Sequence, residues 1–211
     1  MATEGRNIFV SGQTGSGKTF LVERAIAGSD RCLVYLTKRE ECGYQGVYFD
    51  GMAGERDLML RWWGIANARA KRFRIVYRPA DPWSFDEFNE IAGLVYKCGT
   101  MDFVCEELGG YVSSRVFQRT DYGQEFKSLL TAGRTRGVRC WLMSQRPKGI
   151  PIEVRSEARE AYVFHSQEPA DLAYLADWLG VEVAERMGSL GQYDHVHWQQ
   201  GGSIEVSKCR A

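Results

Sequence analysis

The run Gly12-Gln13-Thr14-Gly15-Ser16-Gly17-Lys18-Thr19 sets glycines, a lysine and a hydroxyl in the pattern G-x-x-x-x-G-K-S/T. Gly15 and Gly17 permit a tight turn that points successive backbone N–H groups inward, where they can cradle a phosphate. Lys18 can then reach β- and γ-phosphates, and the Thr19 hydroxyl can ligate Mg²⁺. The flanks suit this chemistry: an apolar strand, Asn7–Ser11, enters the loop, and a helix from about Gly17 to Ala27 leaves it, with Gly28 as its stop. All eight residues, Gly12 to Thr19, are therefore expected to hold ATP or GTP together with Mg²⁺.

Cleaving a terminal phosphate also needs an acid near the metal and a group that orients the attacking water. Met101-Asp102-Phe103-Val104-Cys105-Glu106-Glu107 is a mostly apolar strand that ends in two acids. Glu106 is expected to hold the Mg²⁺ shell and Glu107 to activate water. Many ATPases carry Asp-Glu at such a place, so the extra methylene of Glu106 is a departure that favours contact through a water. Asp102 competes for the metal role, but it stands at the strand's entry, the wrong end of a sheet for a nucleotide. Further on, Gly133 to Pro147 reads as a basic cluster, an apolar strand Val138–Ser144, and then Ser144-Gln145-Arg146-Pro147. A glutamine at that strand end can hydrogen-bond a γ-phosphate or the lytic water.

The elements that must position these groups alternate. Strands are read at Cys32–Thr37, Gly46–Phe49, Phe73–Tyr77 and Tyr162–His165, and helices at Gly54–Lys71 and Asp121–Gly133. A helix opened by the Ser84-x-x-Glu87 capping box and one over Pro169–Leu179, stopped by Gly180, complete the series. The sequence predicts an α/β fold with a mainly parallel central sheet flanked by helices. A C-terminal β-hairpin, Tyr193–Trp198 and Ser203–Ser207, is expected as an appendage, with Trp198 opposite Ile204 and Val196 opposite Val206. At 211 residues the chain is expected to be a single domain spanning 1–211, its C-terminal appendage covering about 160–211.

Together, Gly12–Thr19, a strand ending Glu106-Glu107, and Gly133-Arg134-x-x-Gly137-Val138 leading to Ser144-Gln145-Arg146-Pro147 resemble the FtsK/HerA superfamily of DNA-pumping P-loop ATPases. The resemblance covers roughly residues 7–147 and leans to its viral branch, the genome-packaging ATPases of tailless, internal-membrane (PRD1-like) viruses. It implies that Gln145 is the polar sensor. It also implies that Arg134 or Arg136 acts as an arginine finger on the nucleotide of a neighbouring subunit, in a ring of five or six copies. Double-stranded DNA and capsid-vertex or portal-like proteins are the partners it implies. ATP rather than GTP is implied by the resemblance too. Action in the host cytoplasm during assembly, with association at a packaging vertex, completes the implied setting. An assembly or export ATPase similar to the Zot-like proteins of filamentous phages is the alternative, and a small P-loop kinase a third; the second usually carries a membrane span.

Composition limits the remaining choices. Lys plus Arg and Asp plus Glu both number 27, so bulk charge gives no pull toward nucleic acid and any DNA contact must be local. Arg69, Lys71, Arg72, Arg74 and Arg78 form one basic stretch and Arg134 to Lys148 a second. No apolar run approaches a membrane span and the first residues lack a signal-peptide pattern. Cys32, Cys105 and Cys140 sit in strand-like runs and read as small buried hydrophobes of a reducing compartment. His195 and His197 share a strand face, but no third ligand accompanies them in sequence. Of the adjacent Trp62 and Trp63, one is expected in the core.

Overall fold

A computed structural model of the chain describes residues 4–39, 43–69, 72–202 and 204–209. Cys42, Lys71, Ser203 and the side chain of Arg69 lie outside the described residues.

Among the described residues, nine strands form one sheet: β1 (Arg6–Ser11), β2 (Arg31–Tyr35), β3 (Val47–Asp50), β4 (Phe73–Arg78), β5 (Met101–Cys105), β6 (Val138–Ser144), β7 (Glu160–Phe164), β8 (Asp194–Gln199) and β9 (Ile204–Lys208). Their spatial order is β3-β4-β2-β5-β6-β1-β7-β8-β9, parallel through β7 and antiparallel thereafter. The helices are α1 (Lys18–Ile26), α2 (Arg56–Arg69), α3 (Phe85–Cys98), α4 (Ser114–Gln118), α5 (Gln124–Ala132), α6 (Ile152–Ser156), α7 (Pro169–Leu179) and α8 (Val181–Met187).

Alternating side chains of the central strands feed two cores, as the pleat requires. Ile8, Val10, Cys32, Val34, Val104 and Trp141 pack with Leu21, Val22 and Ile26 of α1 on one face. Phe9, Leu33, Tyr35, Phe103 and Leu142 pack with α2, α3, α5, α7 and α8 on the other. Trp63 is buried in this second core, while Trp62 is half-buried against Phe49, ring centroids 6.0 Å apart. Cys32, Cys105 and Cys140 are buried free thiols, as their apolar context implies.

Several expectations need correction. The C-terminal hairpin has the expected register, Trp198 opposite Ile204 and Val196 opposite Val206. It is no appendage, however, because β8 pairs with β7 and extends the central sheet. The helix expected from Asp121 starts at Gln124: Gly123, at φ 70°, turns the chain into it, and the Asp121 carboxylate pairs with Arg119 at 3.1 Å. Helices α4, α6 and α8 went unforeseen; at five, five and seven residues they are too short to show a helical period. Nor do the described members of the first basic stretch, Arg72, Arg74 and Arg78, stand free. Arg72 pairs with Asp30 at 2.6 Å, while Arg74 faces Glu23 at 3.4 Å and donates to the carbonyls of Ile26 and Gln45. Arg78 lies 5.2 Å over the Tyr48 ring. The second basic stretch is split by β6, which sets Arg134 and Arg136 at one edge of the sheet and Arg146 and Lys148 at the other.

Candidate functional site

In a parallel sheet the strand ends that carry chemistry all lie along one edge. β5, β6 and β1 are consecutive neighbours, and each leads into one of the motif segments: Glu106-Glu107 comes after β5, Gln145 after β6, and the glycine-rich loop after β1. The loop is stitched to β6 by the Gly12 amide, which donates to the Ser144 carbonyl at 3.2 Å. A Cβ at Gly12 would stand 2.5 Å from that of Phe164, so the loop can sit on β7 only with glycine there. Gly17, at φ 103°, adopts the left-handed backbone that turns the chain into α1.

Lys18 is buried and its ammonium donates to the carbonyls of Gly12 at 2.6 Å and Gln13 at 3.0 Å. Burial first, and the nearby Lys38 charge second, lower its pKa to about 8, against the opposing pull of Glu107 and Glu106. Thr19, in the first turn of α1, donates its hydroxyl to Glu106 Oε1 at 3.2 Å. The longer acid thus reaches α1 directly. Glu106 is 1% exposed, and its second oxygen, Oε2, is buried without a hydrogen bond, with Lys38 Nζ 4.0 Å away. A buried carboxylate oxygen without a hydrogen bond, on an acid whose other oxygen is held by a threonine hydroxyl, suits a hard divalent cation such as Mg²⁺, which prefers oxygen donors.

Glu107 is half-buried and holds a left-handed backbone, φ 49° and ψ 46°, uncommon outside glycine and asparagine. That turn brings its Oε1 to the Gln145 amide at 3.2 Å. Gln145 itself is exposed and, with Gly12, Gln13 and Arg146, lines a cleft of about 220 Å³. Asp102 occupies the opposite end of β5. There Arg139 Nη2 donates to Asp102 Oδ2 at 2.9 Å and the Trp141 indole to Oδ1 at 2.9 Å, which leaves this carboxylate a structural role.

Arg134 and Arg136 belong to a 3₁₀ turn before β6, Gly133–Arg136. Seven residues of β6 separate this turn from Gln145, about 20 Å at strand rise, so neither arginine joins the cluster of its own chain. Arg136 donates to the Lys97 carbonyl at 3.1 Å at the end of α3 and lies 5.8 Å over the Tyr96 ring. Arg134 is exposed, and its guanidinium pairs with no described residue.

Three supports escaped sequence reading. Tyr44, which lies between β2 and β3, donates its hydroxyl to Glu106 Oε1 at 3.1 Å. Tyr111 donates to the Glu106 carbonyl at 3.0 Å. Asp171, buried in the first turn of α7, accepts from Arg146 Nε at 3.1 Å and so ties down the loop after Gln145. No periodicity marks Tyr44 or Tyr111, and an acid in a first helical turn is too ordinary to stand out. His195 and His197, by contrast, join no metal cluster: His197 meets the Glu160 carboxylate at 2.8 Å, and no group of three or more ligating side chains occurs among the described residues.

Comparison with solved structures finds the same fold elsewhere. The genome packaging NTPase B204 from Sulfolobus turreted icosahedral virus 2, in complex with ATP-gammaS, superposes with a TM-score of 0.76 at 19% identity, covering 100% of both chains. This chain has the P-loop NTPase fold. The fold recurs in VirB4 of Thermoanaerobacter pseudethanolicus, with a TM-score of 0.64 and 10% identity over 97% of this chain and 89% of that one. It recurs again in the N-terminal domain of zonular occludens toxin from Neisseria meningitidis, at 0.52 and 11% over 98% and 95%. The shared P-loop fold is the one the motifs suggested. No protein-family model and no curated protein matches the sequence. No helix among the described residues is long and apolar enough to cross a membrane.

Proposed function

We propose that this chain is the ATPase of a viral DNA-packaging motor, coupling ATP hydrolysis to movement of double-stranded DNA into a preformed capsid. The observation that carries the reading is the assembly of Lys18, Thr19, Glu106, Glu107 and Gln145 at one sheet edge, in a fold matched end to end by a genome packaging NTPase. The match over whole chains at 0.76, against 0.52 for the zonular occludens toxin domain, favours packaging over an export ATPase.

In this reading the loop Gly12–Thr19 binds the ATP phosphates, and Lys18 exchanges its two carbonyl partners for phosphate oxygens. Thr19 and Glu106 would hold Mg²⁺, which when bound neutralises charge on the β- and γ-phosphates. Glu107 accepts the proton of the attacking water, and Gln145, fixed through its amide to Glu107, contacts the γ-phosphate or that water. Transition-state charge is met by Arg134, with Arg136 beside it, from the next subunit of a ring of five or six copies. DNA in the ring's channel and a capsid vertex are the partners, in the host cytoplasm during assembly. The test is ATP turnover by the purified chain with duplex DNA and, separately, with nucleosides. Stimulation by DNA alone is expected. Phosphorylation of a nucleoside, or turnover indifferent to DNA, would replace this reading with a kinase or an unrelated ATPase.

A further inference from the structure

Glu106 has one more rotatable bond than the aspartate usual at such a site, so aiming its carboxylate costs more side-chain entropy and calls for an extra restraint. The structure supplies one from outside the motifs. Oε1 accepts two hydroxyl protons, from Thr19 at 3.2 Å and from Tyr44 at 3.1 Å, while Oε2 is buried and accepts no hydrogen bond, with the Lys38 ammonium 4.0 Å away. Tyr44 is 2% exposed, and a second acceptor near its hydroxyl, Met143 Sδ at 3.4 Å, is weak beside a carboxylate. Its own backbone is anchored in turn, because the Tyr48 hydroxyl on β3 donates to the Tyr44 carbonyl at 2.5 Å.

We propose that Tyr44 is a positioning residue for the metal site: by saturating Glu106 Oε1 together with Thr19, it fixes the carboxylate so that Oε2 faces the divalent cation accompanying the nucleotide. The proposal rests on the assignment of Thr19 and Glu106 to Mg²⁺ made above. Partners that orient a metal ligand commonly change metal affinity 10- to 100-fold when removed.

The experiment titrates Mg²⁺ into the full chain holding a fluorescent ATP analogue and reads nucleotide affinity rather than turnover. Tyr44→Phe keeps the ring and removes only the donor. Its Mg²⁺ midpoint should rise about tenfold while its nucleotide affinity in EDTA stays that of the wild type. Tyr48→Phe, a milder change at the surface, should shift the midpoint in the same direction by less than Tyr44→Phe does. It decides the matter if Tyr44→Phe does not fold. An unchanged midpoint in Tyr44→Phe, or in Tyr48→Phe where that variant has to decide, overturns the proposal, provided that Glu106→Gln abolishes the Mg²⁺ response. Should the wild type show no Mg²⁺ response at all, the assignment of Thr19 and Glu106 fails first and this proposal with it.

Discussion

The backbone amide of Gln145 donates to the Glu107 carboxylate across 3.2 Å, so the ends of the two adjacent strands β5 and β6 are joined through the residues assigned to water activation and phosphate sensing. A shift of either strand end therefore moves both groups. Glu107 reaches this position only by adopting a left-handed backbone, a conformation retained where the surroundings dictate it.

Glu107→Gln keeps the side-chain shape and an acceptor for the Gln145 amide but removes the base. Nucleotide affinity should stay within about twofold, and turnover should fall by about 10²- to 10⁴-fold, the usual worth of a positioned general base. Equilibrium binding and single-turnover hydrolysis measured on the same preparation check this. Near-normal hydrolysis would move the base elsewhere, with Glu106 the first suspect.

Lys18 gives the site a pH signature. With its pKa lowered to about 8 by burial and by Lys38, the free protein loses this charge as pH rises through 8. Phosphates bind the charged form, so binding above pH 8 must take up a proton, and affinity should fall by up to about tenfold per pH unit there. Stability should respond in the opposite sense. The unfolded chain holds the proton up to about 10.5, so the penalty for burying the charge fades as pH rises from 8 to 10.5. Calorimetric titration of an ATP analogue between pH 7 and 9.5 tests the first sign; Lys18→Ala should bind weakly and show no such slope.

The two arginines of the turn before β6 should separate. Arg136 caps the carbonyl end of α3 and stacks on Tyr96, so Arg136→Ala is expected to lower stability by about 0.5–1 kcal/mol. Arg134 carries no such burden; Arg134→Ala should leave the melting temperature unchanged and slow turnover by about 10³-fold in assembled protein. Mixing Arg134→Ala with Glu107→Gln subunits, each inactive alone, should restore activity, since an intact site then forms where a Glu107 subunit meets an Arg134 neighbour. No recovery in any ratio would confine the chemistry to one chain.

Asp102 should behave as a structural acid. Asp102→Asn breaks a buried pair with Arg139 and is expected to cost about 3 kcal/mol of stability. Nucleotide affinity at 25 °C should be unchanged, as measured by binding beside thermal melting. Loss of Mg²⁺-dependent binding in a folded Asp102→Asn protein would return the metal role to Asp102.

Local patterns made much of this molecule legible from residues alone. The phosphate loop is visible because its geometry admits few residue types. Strands β1, β2, β5 and β6 are visible because both faces are buried and their sequences run apolar. The hairpin register came from placing Val196, Trp198, Ile204 and Val206 on one face. Tertiary partners were not legible. That β8 would join β7 depends on an edge no local pattern declares. That Arg72 and Arg74 would be consumed by Asp30 and Glu23 depends on where α1 ends. Tyr44 reaches Glu106 across 62 residues, from a segment with no period to read.

The central claim is that ATP hydrolysis by this chain moves it along double-stranded DNA. Displacement of a third strand from a DNA triplex at the end of a duplex tests that directly, because the third strand leaves only if a motor arrives. With ATP and Mg²⁺ the wild type should strip the third strand at a rate that depends on duplex length, and Glu107→Gln should bind ATP and leave the triplex intact. Continued ATP hydrolysis by the wild type on a triplex that stays whole would contradict the account.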